Sequence, residues 1–198
     1  MTLLSNFVPE KSALLLMDFQ QAILENHLPG ERASALLDRT AGLLGAARAK
    51  RMPVIHVAVS FRPGHPEVSD RNRVFSRIKH NGLFVHGAAG TAIHPLLEPV
   101  AGEPVVNKHR VGAFAGTDLG TLLRARQVET LVMAGIITSG VVLSTVRHAF
   151  DHDYQLVVVG DCCADSDAEA HRVLLDKVIT KHADVVTAAE VAAALGTA

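Results

Sequence analysis

Short apolar runs that stop at polar or glycine-containing stretches alternate along this chain with longer amphipathic segments, the pattern of buried parallel strands joined by helices. The runs predict strands at 13–17 (ALLLM), 54–59 (VIHVAV), 104–106 (PVV), 130–134 (TLVMA), 155–159 (QLVVV) and 184–186 (DVV). Between them, residues 33–49 carry Leu36, Leu37, Leu43, Leu44 and Ala47 on one stripe, and 119–125, 138–150 and 168–179 have similar spacing, so each reads as a crossover helix. Right-handed crossovers then wind a six-stranded parallel sheet with helices on both faces, a doubly wound, Rossmann-like α/β fold. Residues 60–100 break the pattern. They are rich in Pro, Gly, His and Arg (FRPGHPEVSDRNRVF, then VHGAAGTAIHP), and so long a connection in a compact domain is expected to be a functional loop or cover.

At 198 residues and 21.1 kDa the chain is long enough to enclose one substantial core, and no repeat or linker divides it, so a single domain over 1–198 is expected. Charge acts by exclusion. With a formal net charge of -1, 4% aromatic residues and no long run of Lys or Arg, nucleic-acid binding has no footing. No basic segment leads into a long apolar one at the start, and no window approaches about 18 consecutive apolar residues, so no membrane partner is expected and the chain reads as soluble and cytoplasmic. Cys162 and Cys163 are adjacent and cannot form an unstrained disulfide, which suits a reducing compartment.

In a doubly wound sheet, ligands bind beyond the carboxyl ends of the strands. The first strand ends at Asp18 in LLLMDFQQ, the third at Lys108 in PVVNKHRVGAFAGT, and the fourth runs through Gly135 into Thr138 and Ser139 at a helix start. Together these ends offer an acid, a cation and a set of backbone N–H groups. Each has a plainer meaning when taken alone: a turn cap for Asp18, a solvated lysine beside His109 and Arg110, ordinary N-caps for Thr138 and Ser139.

With these residues located, the chain resembles the isochorismatase-like hydrolase superfamily, the cysteine hydrolases, through LLLMDFQQ, KHRVGAFAGTDL, AGIITSGVVLST, VVVGDCCADSDAEAH and ADVVTAAEV. The resemblance implies a six-stranded parallel sheet flanked by helices and, in amidase members, an Asp-Lys-Cys triad. Its first two members transfer onto Asp18 and Lys108. The family pattern puts the cysteine six residues after the glycine of the fourth strand, which is Val141 here, and an isopropyl group has no lone pair with which to attack a carbonyl. The same pattern implies a cis peptide at Ile136–Ile137 and an oxyanion hole made by the backbone N–H groups of Ile137 and Val141. Cys162 and Cys163, placed after the fifth predicted strand, are expected to fill space near the sheet edge. Ser139 and Ser144 stand in no G-x-S-x-G elbow. Nicotinamidases often carry an Asp-x-His pair beyond the second strand, and HVAVSFRPGHPE lacks that aspartate. His56 reads as core and His65 as a loop histidine with no partner at ligand spacing, so no metal and no cofactor is expected.

The resemblance also covers isochorismatases, which lack the cysteine and hydrolyse a vinyl ether by proton transfer. It then implies Asp18 as general acid, with a pKa raised by burial against the pull of an ammonium, and Lys108 as the group that orients it. Isochorismatases carry G-V-Y-A-H-x-G where this chain reads GIITSGV, and Val141 adds bulk, so isochorismate itself is not expected; the TSG tripeptide is similar to the carbamoylsarcosine-amidase side. Gln20, Phe61, Phe114 and Thr138 are candidates to line a pocket for a small substrate. Arg71 and Arg73 of DRNRVF, with Asn72 between them, are candidates to hold a carboxylate by paired hydrogen bonds, making an anionic or aromatic small molecule the expected partner. Two other functions stay open beside a thiol-free hydrolase: a binding or regulatory homologue that has lost turnover, and an amidase in which Asp18 activates water directly. Retention of both Asp18 and Lys108 favours an enzyme. Family members imply a homodimer or homotetramer, for which VVTAAEVAAALG offers apolar helical surface.

Overall fold

The apolar runs do form a sheet. In a computed structural model, which describes Leu4, residues 7–28 and residues 30–196, the strands are β1 (Ser12–Met17), β2 (Val54–Val59), β3 (Val105–Lys108), β4 (Thr130–Ile136), β5 (Gln155–Ala164) and β6 (Asp184–Val186). All neighbours pair in parallel, in the order β3-β2-β1-β4-β5-β6. The order reverses between β1 and β4, where a doubly wound sheet opens its ligand crevice.

The helices are α1 (Gln21–His27), α2 (Glu31–Ala49), α3 (Phe75–His80), α4 (Leu119–Ala125), α5 (Leu143–Phe150), α6 (Ala168–Val173) and α7 (Ala188–Ala194). Successive strand residues point to opposite layers. Leu14 and Leu16 of β1 join a core with α1, α2 and Val191 of α7, while Ala13, Leu15 and Met17 join a second core with Leu119 and Leu123 of α4 and Val146 of α5. Burial on both faces explains why the strands read as continuous apolar runs.

Four differences from the sequence expectation concern the site. The third strand is shifted toward Lys108, which becomes its last residue. The fifth strand continues to Ala164, because after a register shift between Met133 and Gly135 the sheet resumes with Gly135 opposite Cys163. Cys162 and Cys163 therefore lie inside β5, where Cys163 pairs with Gly135 of β4, beyond the Val157–Val159 stretch that pairs with β6. The helix expected over 138–150 begins as a π-helical turn, Thr138–Val142, and the one expected over 168–179 breaks after α6 into a π turn, Leu174–Val178, and a 3-10 turn, Ile179–Lys181.

The cover at 60–100 is ordered by its own elements, α3 and the 3-10 turns Ala89–Thr91 and Pro95–Leu97. Isolated bridges pair Phe61 with Val85 and Gln20 with Ile93, fastening it to the ends of β2 and β1. Among the described residues no helix is long and apolar enough to cross a membrane.

Candidate active site

Asp18 follows directly on β1, with its N–H donating to Val57 O at 2.8 Å and its backbone in the left-handed region at φ 61. Aspartate tolerates that conformation better than most residues. Lys108 closes β3, opposite Val59 of the intervening β2. The two side chains reach across the end of β2, and Lys108 Nζ lies 2.9 Å from Asp18 Oδ2. The ammonium also donates to Arg110 O at 3.2 Å. Both residues are buried, at 5% and 2% exposure. Burial pushes the Asp18 pKa up, and this outweighs the charge and hydrogen bond of Lys108 that pull it down. Among the described residues, Asp18 Oδ1 is buried and has no hydrogen-bond partner.

β4 contributes the opposite wall. Gly135 is packed so closely that a Cβ there would stand 3.0 Å from Met17 Cβ and 3.3 Å from Val142 Cγ2. The next peptide, Ile136–Ile137, is cis, and it leads into the π turn. That turn is pinned by the segment after β5 and by α6: Ser139 N–H donates to Asp165 Oδ2 at 2.8 Å, and Thr138 Oγ1 meets His171 Nδ1 of α6 at 2.8 Å. Burial raises the Asp165 pKa, but the bonds from Ser139 and Asp167 prevail and hold it below the usual carboxylate range.

Asp18, Lys108, Ile137, Ser139, Gly140 and Val141 share one cavity of about 400 Å³. The cover and α1 close it with Val74, Phe75, Ile78, Phe84, Ile23 and His27. None of these six was a site candidate from sequence. A signal was present, since Phe75 with Ile78 and Ile23 with His27 stand at helical spacings, but both helices are a few residues long and leave little periodicity to detect.

Of the residues expected at the site, Asp18, Lys108, Ile137 and Val141 come together and the proposed substrate contacts do not. Gln20 is fully buried: its amide donates to Val59 O and Thr91 O at 2.9 and 2.8 Å and its Oε1 accepts from Val59 N, so it ties β2 to the cover. Phe61 lies one layer behind the wall, its ring 5.6 Å from that of Phe75. Thr138 is buried against His171. Phe114 stacks on His148 at 4.7 Å, beside α5, and does not line the cavity. Arg71 and Arg73 are exposed and do not line the cavity.

Neither cysteine lines it either. Burial pushes Cys162 up to about 11 and Cys163 up to about 12, away from thiolate chemistry. His56 is a core residue whose Nε2 lies 3.0 Å from Glu103 Oε2, and His65 is buried with Nε2 2.6 Å from Leu83 O. Among the described residues no three His, Cys, Asp or Glu side chains are grouped to hold a metal ion.

A doubly wound α/β domain with a buried carboxyl–ammonium pair in a cavity at the carboxyl ends of its strands defines the class. The Isochorismatase domain matches residues 12–190, and the chain belongs to the isochorismatase family of hydrolases. It is 32% identical over 179 residues to maleamate amidohydrolase from Pseudomonas putida, covering 89% of this chain and 83% of that one. It is 30% identical over 174 residues to ureidoacrylate amidohydrolase from Methylobacterium radiotolerans, covering 81% and 67%. An isochorismatase family protein from Burkholderia thailandensis superposes with a TM-score of 0.81 at 32% identity, over 96% of this chain and 98% of the other.

Proposed function

We propose that this chain is a hydrolase that works without a thiol, with Asp18 as the group that moves the proton and water as the nucleophile. Val141 takes the position that cysteine-dependent members give to sulfur. The observation that carries this is the buried Asp18–Lys108 pair, with Asp18 Oδ1 unpartnered, sharing a cavity with Val141 while neither cysteine reaches the wall. The relatives named as amidohydrolases favour a carbon–nitrogen bond as the target over a vinyl ether.

On an amide, Asp18 takes a proton from water as the water oxygen bonds to the carbonyl carbon. It then returns that proton to the nitrogen as the carbon–nitrogen bond breaks, leaving a carboxylic acid and an amine or ammonia. A carboxylate with a raised pKa is both a stronger base and an acid still protonated closer to neutral pH, which suits both halves of this cycle. Lys108 fixes the rotamer of the carboxyl group through Oδ2 and leaves Oδ1 for the reacting partner. The backbone N–H groups of Ile137 and Val141 are the proposed oxyanion donors, worth about 10²–10³ in rate where one is lost from such a site.

Ammonia release from a panel of small primary amides by the wild type and Asp18→Asn tests the reaction. Activity that survives Asp18→Asn removes Asp18 from the mechanism, and no activity over the whole panel leaves a binding protein. Val141→Cys restores the sulfur of the Asp-Lys-Cys pattern and is expected to add thiol-dependent amidase activity that iodoacetamide abolishes. A homodimer or homotetramer in the cytoplasm completes the proposal, with sedimentation as the test of assembly.

A further inference from the structure

The geometry points to an uncharged ligand for this cavity: a small molecule with a branched or aromatic apolar body and one head group that both donates and accepts a hydrogen bond, as a primary carboxamide does. This rests on the proposed role of Asp18 for the head group but not for the body. Val74, Phe75, Ile78 and Phe84 from the cover face Ile137 and Val141 from the β4 side across about 400 Å³, so the space beyond the pair is bounded mainly by hydrocarbon. An apolar body is stabilised there by burial, and a charged one is stripped of water with nothing in return.

The cations supply nothing to an anion. Lys108 is neutralised by Asp18 at 2.9 Å and also donates to Arg110 O. Arg110, two residues on, turns its guanidinium away, with Nη1 donating to His109 O and Glu67 O at 2.6 and 3.2 Å. Arg71 and Arg73 are exposed and off the wall. His27 is the remaining ionisable side chain on the wall, half-buried at the end of α1. A carboxylate in the cavity is therefore a buried anion without a committed partner. As the carboxylate paired with Lys108, Asp18 accepts an amide N–H on its free Oδ1, and the backbone N–H groups proposed as oxyanion donors meet the amide oxygen.

Calorimetric titration at about pH 8 tests this with pairs matched in size that differ in the charge of the body: isovaleramide against malonamate, and para-isopropylbenzamide against para-carbamoylbenzoate. The neutral member of each pair is expected to bind at least about tenfold tighter to the wild type. Val74→Arg places a cation at a wall position that is already 56% exposed, so folding is preserved, and it is expected to close most of that gap by strengthening the anions. Equal or tighter binding of the anions by the wild type overturns the inference, as does failure of both neutral amides to bind at about 10 mM, a weak limit for ligands of this size. Ammonia release separates the two proposals. Neutral amides that bind without being hydrolysed sink the reaction and leave the ligand class standing, whereas anions that bind and are hydrolysed do the reverse.

Discussion

Lys108→Met removes the ammonium 2.9 Å from Asp18 Oδ2 while keeping most of the side-chain volume. It strands a carboxyl group that is only 5% exposed. Breaking a buried pair from one side costs about 3–5 kcal/mol, because the remaining charge has no compensation. Asp18 escapes part of this by holding a proton, since burial already pushes its pKa up and the lost lysine was the opposing influence. The lower figure, about 3 kcal/mol, is therefore the expectation near neutral pH. At about 2–4 °C per kcal/mol for a chain of this length, it corresponds to a Tm roughly 6–12 °C below wild type.

The sign with pH follows from the direction of the shift. A carboxyl group whose folded pKa lies above its unfolded value carries no penalty below the unfolded value, here 3.8, and loses stability as pH rises toward the folded one, by up to about 1.4 kcal/mol per pH unit. The Tm deficit of Lys108→Met should therefore be small near about pH 4 and grow toward about pH 8. The control is Asp18→Asn combined with Lys108→Met. Asparagine accepts the left-handed backbone at φ 61, carries no charge, and should recover most of the deficit at the upper pH. Thermal melts by circular dichroism across that range are sufficient. A deficit that does not change with pH, or a double variant no more stable than the single one, refutes the buried ion pair as the organiser of the cavity.

Cys162 and Cys163, pushed up to about 11 and about 12 by burial, should resist iodoacetamide in the native protein at about pH 8 and react only at the rate of unfolding, as followed by mass spectrometry; rapid native labelling would contradict their placement inside β5. Burial raises the Glu103 pKa, yet the bonds from Arg48, Val100 N–H and His56 overcome it and hold the carboxylate down to about 2. Glu103→Gln should therefore lose about 2 kcal/mol in urea melts at neutral pH, and the loss should shrink as pH falls below 4.5, since a depressed carboxylate stabilises above its unfolded pKa; a gap constant down to about pH 3 would contradict this. Gly135→Ala drives a Cβ to 3.0 Å from Met17 O, a backbone atom that cannot step aside, so it should cost about 1–3 kcal/mol in the same melts, and an unchanged midpoint would show that β4 is not packed closely on β1 and the π turn at Gly135.

The sheet and the Asp18–Lys108 pair were legible because one physical cause writes both. Strands buried on two faces must be continuously apolar, so LLLM stopping at Asp18 and VV leading to Lys108 mark strand ends as plainly as they mark candidate chemistry. The wall was illegible for the opposite reason. Phe75, Ile78 and Phe84 stand in a segment of turns and one short helix, where an apolar residue follows no period and its direction is set by distant partners such as Phe61 and the Phe61–Val85 bridge. Arg71 and Arg73 misled because a charged side chain near a site in sequence is attracted first to water, and here both remained there. Phe114 misled because its motif adjoins Lys108 along the chain, whereas its ring found His148 to stack upon.

Asp18 and Lys108 issue from the rigid carboxyl ends of β1 and β3, whereas Val74, Phe75, Ile78 and Phe84 belong to a single stretch of the cover. On the proposed reaction and ligand class, reactivity and molecular taste are thus written in separate paragraphs of the sequence. Residues 74–84 form a cassette: grafting the corresponding stretch of an anion-selective homologue should retune which molecules are admitted while the sheet beneath is inherited intact.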